Sequence, residues 1–374
     1  MCDLSSQYGK RIRISIFGQS HSTAVGVSID GLPAGFSIDI DKLRAFLRRR
    51  APGHSDISTE RTEDDEPEIL SGLVNGVTCG APLAIIIRNK DARSDDYREI
   101  RDIPRPAHAD YTAHIKFNGH QDAAGGGHFS GRLTAPLCAA GGICLQILSG
   151  LGIHIGAHIL QIGDTKDDSF DPVGVSVKDF EVIRGNSLSV LKKETGELMK
   201  LQILSARENR DSVGGIVECA AIGLPIGLGD PIFDGVENRI ASIIFGIPAV
   251  KGIEFGSGFA GSGHKGSENN DSFYMDKDTV RTRTNQSGGI LGGITNGMPI
   301  IFRTAFKPTP SIGLEQDSVS LSRSENTVIT VQGRHDPCIV PRAVPCVEAA
   351  AAIALYDAYL EMERNDHYYG FTGL

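Results

Sequence analysis

Three short segments concentrate the side chains able to move protons or hold anions. The first, Phe17-Gly18-Gln19-Ser20-His21-Ser22, directly follows an alternating apolar run. The second, residues 105–134, carries Arg105, His108, Asp110, three consecutive glycines (Gly125, Gly126 and Gly127), Ser130 and Arg132. The third, residues 333–345, sets Asp336 between Arg334 and Arg342. Histidine exchanges protons near neutral pH. Arginine stays charged, and its planar fork matches carboxylate and phosphate. Glycines ahead of a helix that begins with serine leave backbone N–H groups pointing outward, a ready cradle for an anion. Such a set suits chemistry on a small polyanion. Plainer readings stand beside it: a hydrogen-bonded structural role for each histidine, and an ion pair with one arginine for Asp336. Arg48, Arg49 and Arg50 can equally be cations closing a helix, where the dipole favours them.

The elements that must position these groups follow from hydrophobic periodicity. Residues 11–17 place Ile12, Ile14 and Ile16 on one face, as in a half-buried strand. Residues 39–50 read as a short amphipathic helix, and residues 69–74 and 83–87 as strands. Residues 130–151 are almost wholly apolar and predict a buried helix, with Gly141 and Gly142 permitting close packing. Residues 153–162, 213–222 and 250–255 read as strands; residues 238–245 and 344–363 read as helices. Strands and helices are interspersed with no Pro/Ser-rich or charged linker, so one α+β domain over residues 1–374 is the simplest organisation. The polar stretch 262–278 is the best candidate for a mobile loop.

Composition narrows the classes. A net charge of −9 argues against a nucleic-acid-binding surface. No run of about 18 uncharged apolar residues predicts a membrane span, and the first residues lack a secretory apolar core. Seven cysteines without a Cys-x-x-Cys pair suggest neither a disulfide framework nor a zinc site, which fits a reducing cytoplasm. His154 and His158 have helical ligand spacing but sit in a strand-like run, so no metal site is assigned. Gly256-Ser257-Gly258-Phe259-Ala260-Gly261 matches a dinucleotide fingerprint, yet a polar loop follows where that site needs a helix.

Taken in order, the segments resemble the chorismate synthase family almost end to end. The family's Gly-Glu-Ser-His-Gly is here Gly18-Gln19-Ser20-His21-Ser22, and its Arg-Arg-x-Pro-Gly is Arg49-Arg50-Ala51-Pro52-Gly53. Its Arg-Pro-Gly-His-Ala-Asp is Arg105-Pro106-Ala107-His108-Ala109-Asp110. Ala249 to Gly252, Gly266 to Asn269, Gly288 to Gly293, Lys307 to Ser311 and Gly333 to Cys338 continue the series. Each short motif alone is weak; eight in family order are specific. The family's Gly-Gly-Gly-Arg-Ser-Ser-Ala-Arg-Glu-Thr departs here to Gly125-Gly126-Gly127-His128-Phe129-Ser130-Gly131-Arg132-Leu133-Thr134, and a family arginine aligns with Asp56.

The resemblance implies a β-α-β sandwich with helices between two antiparallel sheets, usually a homotetramer. It implies a 1,4-anti elimination of phosphate from 5-enolpyruvylshikimate 3-phosphate to give chorismate, requiring reduced FMN (FMNH2) without net redox change. A substrate with two carboxylates and a phosphate explains the arginines, and Arg49, Arg105, Arg132 and Arg342 are assigned to it. By the same resemblance His21 protonates the departing phosphate, His108 serves the reduced flavin near N1, and Asp336 acts near N5. Flavin contacts carry over to His128, Phe129, Ser130, Pro248, Ala249, Gly292, Lys307, Pro308, Thr309, Pro310, Ser311 and Arg334. The expected partners are the substrate and a separate flavin reductase, since the chain has no room for an appended one; no nucleic acid or membrane is expected. Two other classes compete: an NAD(P)-linked oxidoreductase resting on the Gly256 motif, and a non-catalytic anion- or flavin-binding module.

Overall fold

The computed structural model describes residues 5–53, 57, 63–90, 101–331 and 336–369. Two five-stranded antiparallel sheets form its outer layers. The first runs, in spatial order, Gln7–Tyr8, Arg13–Gly18, Ala24–Asp30, Leu83–Arg88 and Pro67–Ser71. The second runs Val250–Phe255, Ile300–Phe306, Gly215–Ile222, His154–Ile162 and Thr165–Lys166. Alternation fixes the buried face of the first sheet: Ile14, Val25, Val27, Ile29, Leu83, Ile85 and Ile87 all point inward.

The helices are α1 (Ile40–Arg50), α2 (Asp110–Lys116), α3 (Thr134–Gly150), α4 (Val177–Gly185), α5 (Lys193–Glu208), α6 (Val236–Ile244), α7 (Gly266–Asn269) and α8 (Val340–Tyr369). Helix α3 packs on the first sheet, α8 on the second, and the two against each other, with α1 and α6 alongside. A layer of helices therefore separates two antiparallel sheets, as the resemblance implied. This position explains why α3 lacks a polar face. Hydropathy and length alone would let 131–150 and 340–363 cross a membrane, but they are 78% and 89% buried inside the protein. A Cβ on Gly141 would lie 2.3 Å from that of Ala349, so glycine is what lets α3 approach α8 this closely.

One expectation needs correction. Residues 262–278 are not an open loop: they contain α7 and Phe273–Asp276, the first strand of a hairpin completed by Thr279–Thr282. The Asp271 carboxylate anchors the segment by accepting bonds from Thr284 Oγ1 and the backbone N–H groups of Gln286 and Ser287. Helices α4 and α5 also had no counterpart in the sequence reading. The Gly256 fingerprint leads into a 3-10 turn, Gly258–Gly263, and then the four-residue α7, which leaves no helix for a pyrophosphate.

Candidate active site

One cavity of about 650 Å³ stands out among the described residues. Its walls come from the end of α1, residues 105–109, the glycine turn and start of α3, residues 245–251, residues 306–311, and the start of α8. The three motif segments thus converge, although more than 200 residues separate the first from the last.

The glycine turn is shaped by contact with two histidines. Gly125, Gly126 and Gly127 all have positive φ (60°, 84° and 55°), where a side chain is strained. A Cβ on Gly125 would lie 2.6 Å from His21 Nε2, and one on Gly126 3.1 Å from His108 Cε1. Both imidazoles therefore press directly on backbone at the cavity wall. Ser20 N–H donates to Gly127 O at 3.0 Å, which ties the His21 loop to the turn. His128 adds a second tie, with Nδ1 2.8 Å from Gly18 O and Nε2 2.9 Å from Ser6 Oγ. The geometry has Nδ1–H donating to the carbonyl and the serine hydroxyl donating to Nε2. Replacing the family's arginine, His128 is thus a clamp between loop and turn, while Phe129 is 40% exposed beside Phe117.

Charge in the walls is paired. Arg105 grips Asp110 through Nε and Nη2, at 2.7 and 2.8 Å, and reaches Ser311 Oγ at 3.1 Å. His108 Nδ1 meets the same carboxylate at 2.6 Å. Burial alone would raise the pKa of Asp110, but hydrogen bonds from Arg105 and His108 outweigh it and hold the carboxyl well below its usual range. On the opposite wall Asp65 lies between Arg50, at 2.6 Å, and Arg132, whose guanidinium also meets Glu63 at 2.8 Å. Burial opposes ionisation of Asp65, yet these two arginines keep its pKa low. Arg342 pairs with Asp336 and donates from Nε to Arg50 O at 3.0 Å. Lys307 donates to Ala107 O, and burial followed by the Lys251 charge lowers its pKa. Six basic groups (Arg50, Arg105, Arg132, Lys251, Lys307 and Arg342) against four carboxylates leave the cavity cationic. Ala107, in the family's glycine position, keeps a left-handed φ of 58°, at a cost of about 1 kcal/mol.

His108, His128, Phe129, Ser130, Pro248, Ala249, Lys307, Thr309, Pro310, Ser311, Arg105, Arg132, Arg342 and Asp336 all reach the cavity. His21 lies immediately behind Gly125. Arg49 does not line it: both guanidinium nitrogens engage Glu348, whose carboxylate also accepts the Ala157 N–H in the core. Arg50 lines the cavity instead. Its signal was present in the sequence, because Leu43, Leu47 and Arg50 repeat at helical spacing and all three are buried. Gly292 occupies a hairpin turn between Ile290–Leu291 and Ile294–Thr295, and Pro308 faces Gly214; neither is on the wall. Arg334 and Asp56 lie outside the described residues.

With this geometry in view, comparison with known proteins is specific. The family model described as chorismate synthase matches residues 12–360. A chorismate synthase of Lancefieldella parvula is 46% identical over 95% of this chain and 96% of its own length. One of Korarchaeum cryptofilum is 45% identical over 96% and 98%, respectively. A solved structure titled "Crystal Structure of Chorismate Synthase" superposes with a TM-score of 0.75 at 28% identity, covering 96% of this chain and 98% of that one.

Proposed function

Because the chain belongs to the chorismate synthase family of lyases, we propose that it eliminates phosphate from 5-enolpyruvylshikimate 3-phosphate in a 1,4-anti sense, using reduced FMN with no net redox change. The observation that carries this reading is the glycine turn at the cationic cavity, with His21 behind Gly125 and His108 behind Gly126. The residues present fit a flavin. Phe129, Phe245, Ile247, Pro248, Ala249 and Pro310 offer apolar wall for a planar ring, and Lys251 and Lys307 lie beside it for an anionic tail. His128, Ser130, Thr309 and Ser311 complete the flavin-facing set, and Gly292, Pro308 and Arg334 belong to it by family resemblance, the first two lying off the wall.

When bound, reduced FMN supplies an electron transiently to the substrate, chemistry that no side chain provides. Arg105, Arg132 and Arg342, with Arg50 in place of Arg49, hold the substrate's carboxylates and phosphate. Each is held by a carboxylate partner, which fixes its guanidinium plane at the wall. His21 donates the proton that the departing phosphate oxygen needs. The C3–O bond breaks with its electron pair leaving on phosphate, and the C6 hydrogen leaves as a proton. Asp336 manages that proton near flavin N5. His108, oriented by Asp110, holds its proton near N1.

Reduced flavin comes from a separate reductase in this reading. Association as a homotetramer belongs to the same reading, and the exposed apolar pair Ile232 and Phe233, 75% and 90% exposed, is where a contact between copies would be sought. A cytoplasmic location fits the unpaired state of all described cysteines. Anaerobic incubation with the substrate and chemically reduced FMN should release phosphate and chorismate in equal amounts. No release with folded protein and reduced FMN, or turnover driven by NADPH alone, would refute the reading.

A further inference from the structure

Two cysteines that the reaction does not use meet at the cavity wall. Cys346, on the second turn of α8, lines the cavity, and Cys138 on α3 lies behind it with the two sulfurs 3.8 Å apart. Their closeness follows from the helix packing. Gly141 and Ala349, each three residues farther along its helix, mark a close backbone approach of α3 and α8. The cysteine side chains therefore share the same interhelical seam one turn earlier. Their surroundings are unequal. Cys138 S–H donates toward Cys346, and Cys346 lies in the wall with Arg50, Thr134 and Arg342. Cys138, fully enclosed, has none of its sulfur in the cavity wall.

We propose that Cys138 and Cys346 form an oxidation site, in which a hydroperoxide entering the cavity converts the dithiol to a disulfide. The Cys346 thiolate attacks the peroxide O–O bond, gains one oxygen as sulfenic acid and releases hydroxide or alkoxide. Cys138 sulfur then attacks the Cys346 sulfur; the S–S bond forms, the S–O bond breaks, and the Cys138 proton leaves with the hydroxyl as water. The two thiols lose two electrons and the peroxide accepts them. The hydrogen bond donated by Cys138, opposed by burial and aided by Arg50, lowers the pKa of the Cys346 thiol and so favours its reactive thiolate. Burial pushes Cys138 the other way, which keeps its proton available for the second step. Closing the sulfurs from 3.8 Å to about 2.0 Å is within reach of side-chain rotation and a small shift of α8. Cys144, Cys219 and Cys338 are also buried but do not line this cavity.

The test is peroxide treatment of the folded full chain, acid quenching, unfolding, alkylation of the remaining thiols, and peptide mass mapping. The expected product joins the Cys138 and Cys346 peptides, lighter by two hydrogens, with both lost from alkylation together and restored by dithiothreitol. Cys138→Ala should stop Cys346 at a dimedone-trappable sulfenic acid, and Cys346→Ala should leave Cys138 fully alkylated. The wild-type result stands alone if either variant fails to fold. Cys138 and Cys346 remaining alkylatable while exposed Cys79 oxidises would overturn the proposal, as would equal oxidation of all buried cysteines.

Discussion

Two regions of this molecule use the same ingredients to different ends. At the cavity, His108 meets Asp110 and Arg105. In the second sheet, His158 lies 3.0 Å from Glu218, which also accepts Arg303 Nε at 3.0 Å, with Asp167 at 3.7 Å on its other side. Both are histidine–carboxylate–arginine clusters. His158 is wholly buried, with Phe170 edge-on at 4.6 Å and Phe180 behind that. His108 faces a glycine turn beside open space. In the proposed function, access is what separates a reactive polar cluster from a structural one, and glycine provides that access. An aromatic lid makes the other cluster a structural tie, joining strand His154–Ile162 to strand Gly215–Ile222 and, through Glu218 and the Phe170 N–H, to the segment that follows.

The largest effect should come from the histidines at the turn. His21→Ala is expected to lower turnover by about 10²–10⁴-fold, the usual contribution of a positioned acid or base, while circular dichroism and the unfolding midpoint stay near wild type. Undiminished turnover would make His21 a structural residue and remove half the contrast. Next comes access itself. Gly125→Ala puts a methyl 2.6 Å from His21 Nε2, too close for either to stay in place, and displacement of a reacting group by about 1 Å costs about 10²-fold. Steady-state kinetics should show kcat falling with the protein still folded; an unchanged kcat would mean the turn is not what positions His21.

Asp336 sharpens the comparison, because its ion pair with Arg342 also admits a purely structural role. If it manages a proton, Asp336→Asn keeps shape and binding but loses kcat, with a larger isotope effect from C6-deuterated substrate in single turnovers. A raised KM at wild-type kcat would assign it to positioning Arg342 alone.

The smallest effect on activity belongs to the sealed cluster, where stability should move instead. His158→Ala removes one partner from Glu218, which keeps Arg303 and the Phe170 N–H, and one charge from beside Asp167, a loss of about 2 kcal/mol. Burial alone disfavours its charge, but the Asp167 and Glu218 carboxylates beside it prevail and raise its pKa. A raised folded pKa means the contribution is fully present below the unfolded value of about 6.5 and is lost as pH rises through the folded value. Denaturant titrations should therefore show the gap between wild type and His158→Ala narrowing on going alkaline; a gap that widens would contradict the charged-histidine account.

What could be read from the sequence depended on range. Local periodicity sufficed for strand Val250–Phe255 and for the apolar α3, whose Gly141 signalled close packing that Ala349 now explains. The chemistry-bearing segments were legible because motif residues cluster within a few positions. Pairing across the chain was not. Nothing near Arg132 in sequence announces Asp65, and nothing near Cys138 announces Cys346. Arg49 and Arg50 differ by one step of helix rotation, which decides whether the guanidinium meets Glu348 or the cavity. The stretch 262–278 looked like a loop because short hairpins anchored by one carboxylate carry little hydrophobic pattern.

The central claim, that access rather than composition separates the two histidine clusters, is tested most directly by one paired assay. His108→Ala and His158→Ala are compared in anaerobic chorismate formation with chemically reduced FMN, normalised to folded protein. The account predicts a loss of about 10²-fold or more for His108→Ala, with His158→Ala turning over at the wild-type rate per folded molecule. Equal turnover by the two variants, whether both impaired or both intact, would contradict it.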